Sequence, residues 1–419
     1  MKLPKLVFSK YLKNILTMMS GVFLSQVVVF LGSMVITRIF SPSDFGIAAV
    51  FLSITNILVV VSTLRYEHSI VLPIKDNDSY DIMAISKRIV IFFSLFVFAF
   101  VFLFYDTIMY YVAKPELNYW FYYLPLLIFL NAFFFIYRSW LVRLKRFKRI
   151  SIGALIKSII LTLSLIIGGI IFNDVMVFLF ANIFAQFVET VYLHYAIAKG
   201  SYNKTNAKHK LKEYINFPKF SLPADLISTY SSQNPILMFS FFFGDSVVGQ
   251  FSLTQRVLAI PIKFISGSTL EVYKQKASED YNKLGNCFEI FKSTFKTLFL
   301  IGLIPTVIMF FLAPFLFEVL FGMEWRDAGV FARYMLPMFF LQFSISPLSY
   351  TLYIAGKQKY NLYWQMGLLL LTSLGIYIGV LNESSNISII GFSLAYSFMY
   401  LIYLLLIYYY AKGNDITKR

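Results

Sequence analysis

The chain has 419 residues, 58% of them hydrophobic and only 14% charged, where a soluble domain carries roughly 25% charge; a water-soluble globular protein is excluded. The net charge of +16 does not mark a nucleic-acid binder. The basic excess lies in loops and alternates from loop to loop, as the positive-inside rule requires of a membrane protein. The single cysteine, Cys287, excludes an intrachain disulfide.

The first apolar run, Ile15 to Ile39, is too long for a signal-peptide core, and no small-x-small cleavage site follows it. It reads as a membrane helix kept in the mature protein. Apolar runs of about 20 residues, each able to cross a hydrocarbon core of roughly 30 Å, recur almost end to end. The short alternating segments of an outer-membrane barrel are absent. The pattern predicts an all-α polytopic membrane protein of about twelve transmembrane helices. They are placed at 15–39, 45–72, 89–113, 119–142, 150–172 and 174–198, then at 218–243, 246–270, 293–320, 328–354, 360–381 and 387–411.

Every second connection is short, and these hold only Lys114 and Arg326 as bases. The others are basic, most of all the run Arg143-Leu144-Lys145-Arg146-Phe147-Lys148-Arg149. This asymmetry puts both termini in the cytoplasm. The longest loop divides the chain into an N-terminal six-helix bundle over 1–198, a basic cytoplasmic linker over 199–217 and a C-terminal six-helix bundle over 218–419. A faint repeat agrees with that division. Asp44-Phe45-Gly46 opens the second predicted helix and Asp245 to Gly249 the eighth; Arg65 and Arg256 follow, then Pro73 and Pro261. Paired halves around a central cavity are a common transporter design.

No phosphate-binding loop of the G-x-x-x-x-G-K-[ST] type is present, nor an H-E-x-x-H or paired-cysteine metal site. No cofactor or metal is expected, and the predicted outer loops are too short for a catalytic domain, which argues against an enzyme. The informative residues are the basic ones inside apolar stretches: Arg38, Arg65, Arg138, Lys157, Arg256, Lys263 and Arg333. A charge at mid-bilayer costs at least a few kcal/mol and is found facing a water-filled cavity or a partner. Cations collected there suit an anionic cargo.

Arg256 and Lys263 are seven residues apart, two helical turns, and so share a face at depths of about 10 and 20 Å. Arg65 and His68 share a face of the second helix, while Glu67 points about 200° away from Arg65. Arg65, Arg256, Lys263 and His68 are therefore the expected substrate-binding cations. Arg38 and Arg333, near the opposite surface, are expected to cap an exit or gate or to pair across helices, and Arg138 to snorkel. Glu67 and Asp225 are candidates for ion coupling. Lys157 and Glu189 lie at matched depth on neighbouring helices and are expected to form a structural ion pair.

The strings Thr37-Arg38, Ser41-Pro42-Ser43-Asp44-Phe45-Gly46 and Leu64-Arg65-Tyr66-Glu67-His68-Ser69-Ile70-Val71-Leu72-Pro73 resemble the opening of bacterial O-antigen and polysaccharide flippases. Phe217-Pro218-Lys219-Phe220-Ser221-Leu222-Pro223 is similar to the start of their second half, and Gln255-Arg256-Val257-Leu258, Glu324-Trp325-Arg326-Asp327-Ala328-Gly329 and Ser346-Pro347-Leu348 continue the likeness. His68 stands where that pattern has an apolar residue.

This polysaccharide transporter branch of the multidrug/oligosaccharidyl-lipid/polysaccharide exporter superfamily implies twelve helices around a cationic cavity. It also implies a flippase at the bacterial cytoplasmic (inner) membrane. The cargo implied is an undecaprenyl-pyrophosphate-linked oligosaccharide, an O-antigen (lipopolysaccharide) or other surface-glycan repeat unit. Its partners would be this lipid-linked sugar, membrane lipid, a polysaccharide polymerase and other assembly proteins. The alternatives are a cation-coupled multidrug exporter of the same superfamily, which would need a carboxylate-lined cavity, and a membrane polysaccharide polymerase, which would need larger outer loops.

Overall fold

Long apolar stretches punctuated by Pro, Gly and Asn leave the backbone one way to satisfy its polar groups in lipid, which is helix. The computed structural model describes residues 3–112, 119–197 and 211–413, and among them there is no strand. The helices are α1 (Leu3–Ile36), α2 (Pro42–Ser62), α3 (Asp76–Leu103), α4 (Tyr105–Val112), α5 (Trp120–Arg143), α6 (Phe147–Phe172) and α7 (Met176–Ala196). They continue with α8 (Leu222–Phe243), α9 (Asp245–Pro261), α10 (Gly267–Leu284), α11 (Phe288–Phe321), α12 (Arg326–Ile345), α13 (Tyr350–Ile354), α14 (Gln358–Leu381) and α15 (Ser385–Ala411). The basic linker expected over 199–217 lies outside the described residues as far as 210, as does the expected short loop at 114–117.

Among the described residues nine helical segments are long and apolar enough to cross a membrane. The three other expected crossings fall on α1, with its apolar stretch Ser20–Ile36, on α8 and on α9. The last two fall short for physical reasons: α8 carries Asp225, Ser228, Thr229, Ser231, Ser232, Gln233 and Asn234, and α9, only 17 residues long, carries Gln250, Thr254, Gln255 and Arg256. Such helices cannot face lipid all round.

Three expected boundaries are corrected. The second helix stops at Ser62 instead of continuing to 72; a turn at Thr63–Arg65 leads into a 3₁₀ segment, Tyr66–Val71. The third starts at Asp76, because its polar first turns extend beyond the apolar run. The eighth does not end at 270. It passes through a wide π turn, Ile262–Ser266, into the charged helix α10.

The chain forms two compact units, one of residues 1–40 and 47–230, the other of 41–46 and 231–419. In the first, α1 packs along α6, α6 on α7, α7 on α5 and α5 on α3. Trp140, fully buried, packs with Ile70, Ile82, Met83, Val90, Ala132 and Ile136. In the second, α11 packs on α12, α12 on α9 and α15, and α14 on α15. The α14–α15 pair is close because Gly375 and Gly391 meet backbone to backbone, the small-residue contact that substitutes for a hydrophobic driving force in lipid.

The first turn of α2 belongs to this second unit. Asp44 holds it by accepting from the Ser41 amide at 2.9 Å and hydroxyl at 2.8 Å. There Gly46 abuts the carbonyl of Asp245, and Gly249 of α9 abuts the carbonyl of Pro42, so any Cβ at either glycine would strike backbone. Gly249→Val is expected to reduce folded protein several-fold, whereas Gly267→Ala, where a Cβ meets nothing, should be harmless. Equal yields of the two in fluorescence-detected size exclusion would contradict this close crossing.

Cys287 is buried at 1% exposure, and burial pushes its thiol up. It is therefore expected to resist maleimide in the native protein and to react on denaturation. Rapid native labelling would show that this end of α11 is open.

Candidate functional site

The Arg65 region is built on a strained turn. Leu64 and Arg65 have φ of 48° and 62°, a left-handed conformation that costs a side-chain-bearing residue roughly 1–2 kcal/mol. The break turns the Arg65 guanidinium to two carboxylates: Nη1 lies 3.2 Å from Glu67 Oε1 and Nε 2.7 Å from Asp225 Oδ2. The helical geometry that set Arg65 and Glu67 on opposite sides does not apply, because no helix continues there. His68 stays half exposed, with Nε2 3.7 Å from Glu67 Oε1 and 4.0 Å from Asp225 Oδ2. Arg65 is only 15% exposed, and its charge is matched. Tyr66 Oη donates to the Leu211 carbonyl at 3.1 Å, so the turn grips the approach to α8 as well as its first turns. All of these groups belong to the first unit.

Arg256 differs. Its helix α9 is locked to the start of α12 by two side chains. Gln250 donates to the Glu324 carbonyl at 2.6 Å and accepts from the Ala328 amide at 2.8 Å; Thr254 donates to the Ala328 carbonyl at 2.7 Å. Arg256 projects from this fixed frame with its guanidinium 5.9 Å from the Phe45 ring centre, and Phe45 is seated edge-on against buried Trp325 at 4.8 Å. Arg256 is an exposed residue even though protein atoms crowd around its guanidinium.

Lys263, also exposed, sits in the π turn. The added residue of that turn shifts the register on which a simple shared face was expected, yet Lys263 remains within electrostatic reach of Arg256. Neither cation has a carboxylate partner among the described residues.

The expected pair of Lys157 and Glu189 is brought together, Nζ to Oε2 at 3.5 Å. Gln186 joins it: its Oε1 accepts from Lys157, and its Nε2 lies 3.3 Å from Thr190 Oγ1 and 3.5 Å from Glu189 Oε2. Arg138 is close enough to act on the Glu189 charge. Beside this group lies a polar cavity of about 190 Å³, lined by Leu52, Thr55, Asn56, Leu127, Asn131, Lys157, Asn182 and Gln186. A scan for charges misses its neutral amides. Their signal in the sequence is three asparagines inside apolar spans.

The remaining cations have structural employment. Arg333 donates to the Phe310 carbonyl at 2.9 Å and the Phe311 carbonyl at 3.4 Å. Pro314 lies inside α11 and has no N–H for the carbonyl four residues back; Arg333 supplies that donor. Arg38, in the turn after α1, donates to the Met34 carbonyl of that helix. Among the described residues no group of three or more His, Cys, Asp or Glu is placed to hold a metal.

A helical, multi-pass membrane protein with cations inside its apolar stretches is thus defined, and its fold is one seen before. A multidrug resistance MATE family transporter of the MOP superfamily, in an inward-facing conformation, superposes with a TM-score of 0.72 at 14% identity, over 91% of this chain and 93% of that one. The lipid II flippase MurJ, inward closed, gives 0.71 at 16% identity over 93% and 86%. The MATE multidrug transporter DinF-BH gives 0.68 at 15% identity over 98% and 97%. No curated protein matches the sequence. Residues 35–329 match the family model described as polysaccharide biosynthesis protein, and the chain belongs to that family.

Proposed function

We propose that this protein is a flippase that carries an undecaprenyl-pyrophosphate-linked oligosaccharide across the bacterial cytoplasmic membrane by alternating access, with no covalent chemistry of its own. The observation that carries this reading is the pair Arg256 and Lys263, two exposed cations on a polar helix and the turn that follows it, with no carboxylate partner among the described residues. A diphosphate has to cross a region of low dielectric, and a guanidinium offers it fork-shaped, charge-assisted hydrogen bonds. Membership of a polysaccharide biosynthesis family and likeness to a structure titled lipid II flippase agree with that cargo. Cationic drugs would meet repulsion at the same two residues.

In this reading both termini are cytoplasmic, the exported unit feeds a polysaccharide polymerase, and the Arg65–Glu67–Asp225–His68 cluster positions the approach to α8. Arg65 and His68 would contact cargo only after leaving their carboxylates; Glu67 and Asp225 remain the candidates for ion coupling. Arg38 and Arg333 would bear on an exit only through the carbonyls they hold.

The purified chain in liposomes loaded with a short polyprenyl-pyrophosphate sugar is expected to expose the sugar to an external glycosidase faster than empty liposomes do. It should leave an ethidium gradient untouched. Ethidium transport without sugar exposure would replace this reading with the multidrug one.

A further inference from the structure

The polar cavity of the first unit has a donor and acceptor pattern that selects its occupant. Asn131 Nδ2 donates to the Leu127 carbonyl at 2.8 Å, and Asn182 Nδ2 donates to the Phe178 carbonyl at 2.7 Å. Each amide therefore spends one of its two N–H donors on its own helix and keeps its oxygen and a second N–H for the cavity. Thr55 likewise gives its hydroxyl proton to the Phe51 carbonyl at 2.9 Å and keeps its lone pairs. Buried Gln186, 2% exposed, is consumed by Lys157, Glu189 and Thr190.

What faces the space is then a set of neutral amide and hydroxyl groups from α2, α5 and α7, which both accept and donate, and one ammonium from α6. Lys157 has three N–H donors; Gln186 and Glu189 engage two, and the third is left for an occupant.

This pattern suits a neutral group better than an ion. A diffusible cation meets the fixed ammonium. An anion meets an ammonium whose charge the Glu189 carboxylate already matches, Nζ to Oε2 at 3.5 Å. A neutral group rich in hydroxyls fits, because each hydroxyl donates to an amide oxygen while a ring or hydroxyl oxygen accepts from Lys157. Leu52 and Leu127 supply apolar wall for the C–H face of a ring. The cavity of about 190 Å³ has room for several waters or for one sugar residue.

We propose that this pocket is a sugar subsite that takes a single residue of the cargo's glycan, with Asn131, Asn182 and Thr55 as acceptors and Lys157 as donor. The proposal rests on the lipid-linked-glycan reading but concerns the sugar, not the pyrophosphate, and the two can fail separately.

The test is equilibrium binding to the full chain in lipid nanodiscs. The probes are a polyprenyl pyrophosphate without sugar and the same lipid carrying one hexose or one N-acetylhexosamine. The expected result is a Kd about tenfold lower for a sugar-bearing lipid, a difference that Asn131→Leu and Asn182→Leu each remove while leaving the sugar-free Kd unchanged.

A second measurement does not depend on how those variants fold. Asn56, exposed at the pocket, is changed to cysteine in a chain whose native thiol is buried. Its maleimide labelling should be slowed by the sugar-bearing lipid and not by the sugar-free one. Equal Kd values for all the lipids, with no protection at position 56, would show a water-filled pocket only and overturn the subsite. Failure of the sugar-free lipid to bind, with a sugar-bearing lipid still held through Asn131 and Asn182, would instead overturn the pyrophosphate reading and leave the subsite standing.

Discussion

Arg256→Ala is expected to cut glycan export at least tenfold at unchanged protein level, with lipid-linked precursor accumulating on the cytoplasmic leaflet. A hydrogen bond to a charged group contributes about 1.5–3 kcal/mol, and about 1.4 kcal/mol is a factor of ten in rate. The loss of a forked contact therefore falls at tenfold to roughly a hundredfold or beyond. Arg256→Lys should keep part of the activity, because charge survives while the planar fork is lost. Protein level is expected to hold because Gln250 and Thr254, not Arg256, fix α9 to α12. The Phe45 ring at 5.9 Å loses only a cation–π contact, about 0.5–1 kcal/mol at an accessible site. Surface glycan can be scored by antibody or lectin in cells and the precursor by extraction. Full export by the alanine variant at matched level would leave Arg256 no part in moving cargo, and Lys263 alone would not sustain a cationic path.

The contrast between Arg256 and Arg65 explains what the sequence makes legible. Both look like cations buried in matched helices, and at that level nothing separates them. The difference lies in the backbone: two left-handed residues, Leu64 and Arg65, break α2 and turn one guanidinium onto carboxylates from Glu67 and Asp225. Periodicity arguments assume that a helix continues, so they set Arg65 and Glu67 apart. Lys157 and Glu189 are legible because depth along two neighbouring, unbroken helices is simple arithmetic. Arg333 reaches across to a neighbouring helix, but to no charge. Its partners are the carbonyls of Phe310 and Phe311, and a main-chain vacancy left by Pro314 has no signature in a list of charged residues. The three asparagines of the cavity pass unnoticed because their amides carry no charge. The α9–α10 boundary slips because a π turn and a charged helical extension leave hydropathy without helix ending.

The same Lys157 group separates folding from recognition, through an expected asymmetry between its two halves. Glu189 is 2% exposed, whereas the Lys157 side chain is 33% exposed and borders the cavity. Lys157→Met strands a buried carboxylate, and breaking a buried pair in this way costs about 3–5 kcal/mol. Glu189→Met leaves an ammonium that still meets Gln186 and can reach cavity water, so its cost should be smaller. Lys157→Met with Glu189→Met removes both charges and should return thermal stability in detergent close to that of the parent. Arg138, which acts on the Glu189 charge, should soften the single lysine change, and Arg138→Met on top of Lys157→Met should deepen it. If the two single variants are equally mild, the pair does not hold this bundle together. If the double variant folds like the parent, it becomes the instrument for the cavity. It keeps the helices in place but lacks the only ammonium among the lining side chains, so it should bind sugar-free polyprenyl pyrophosphate normally and lose the preference for the sugar-bearing lipid.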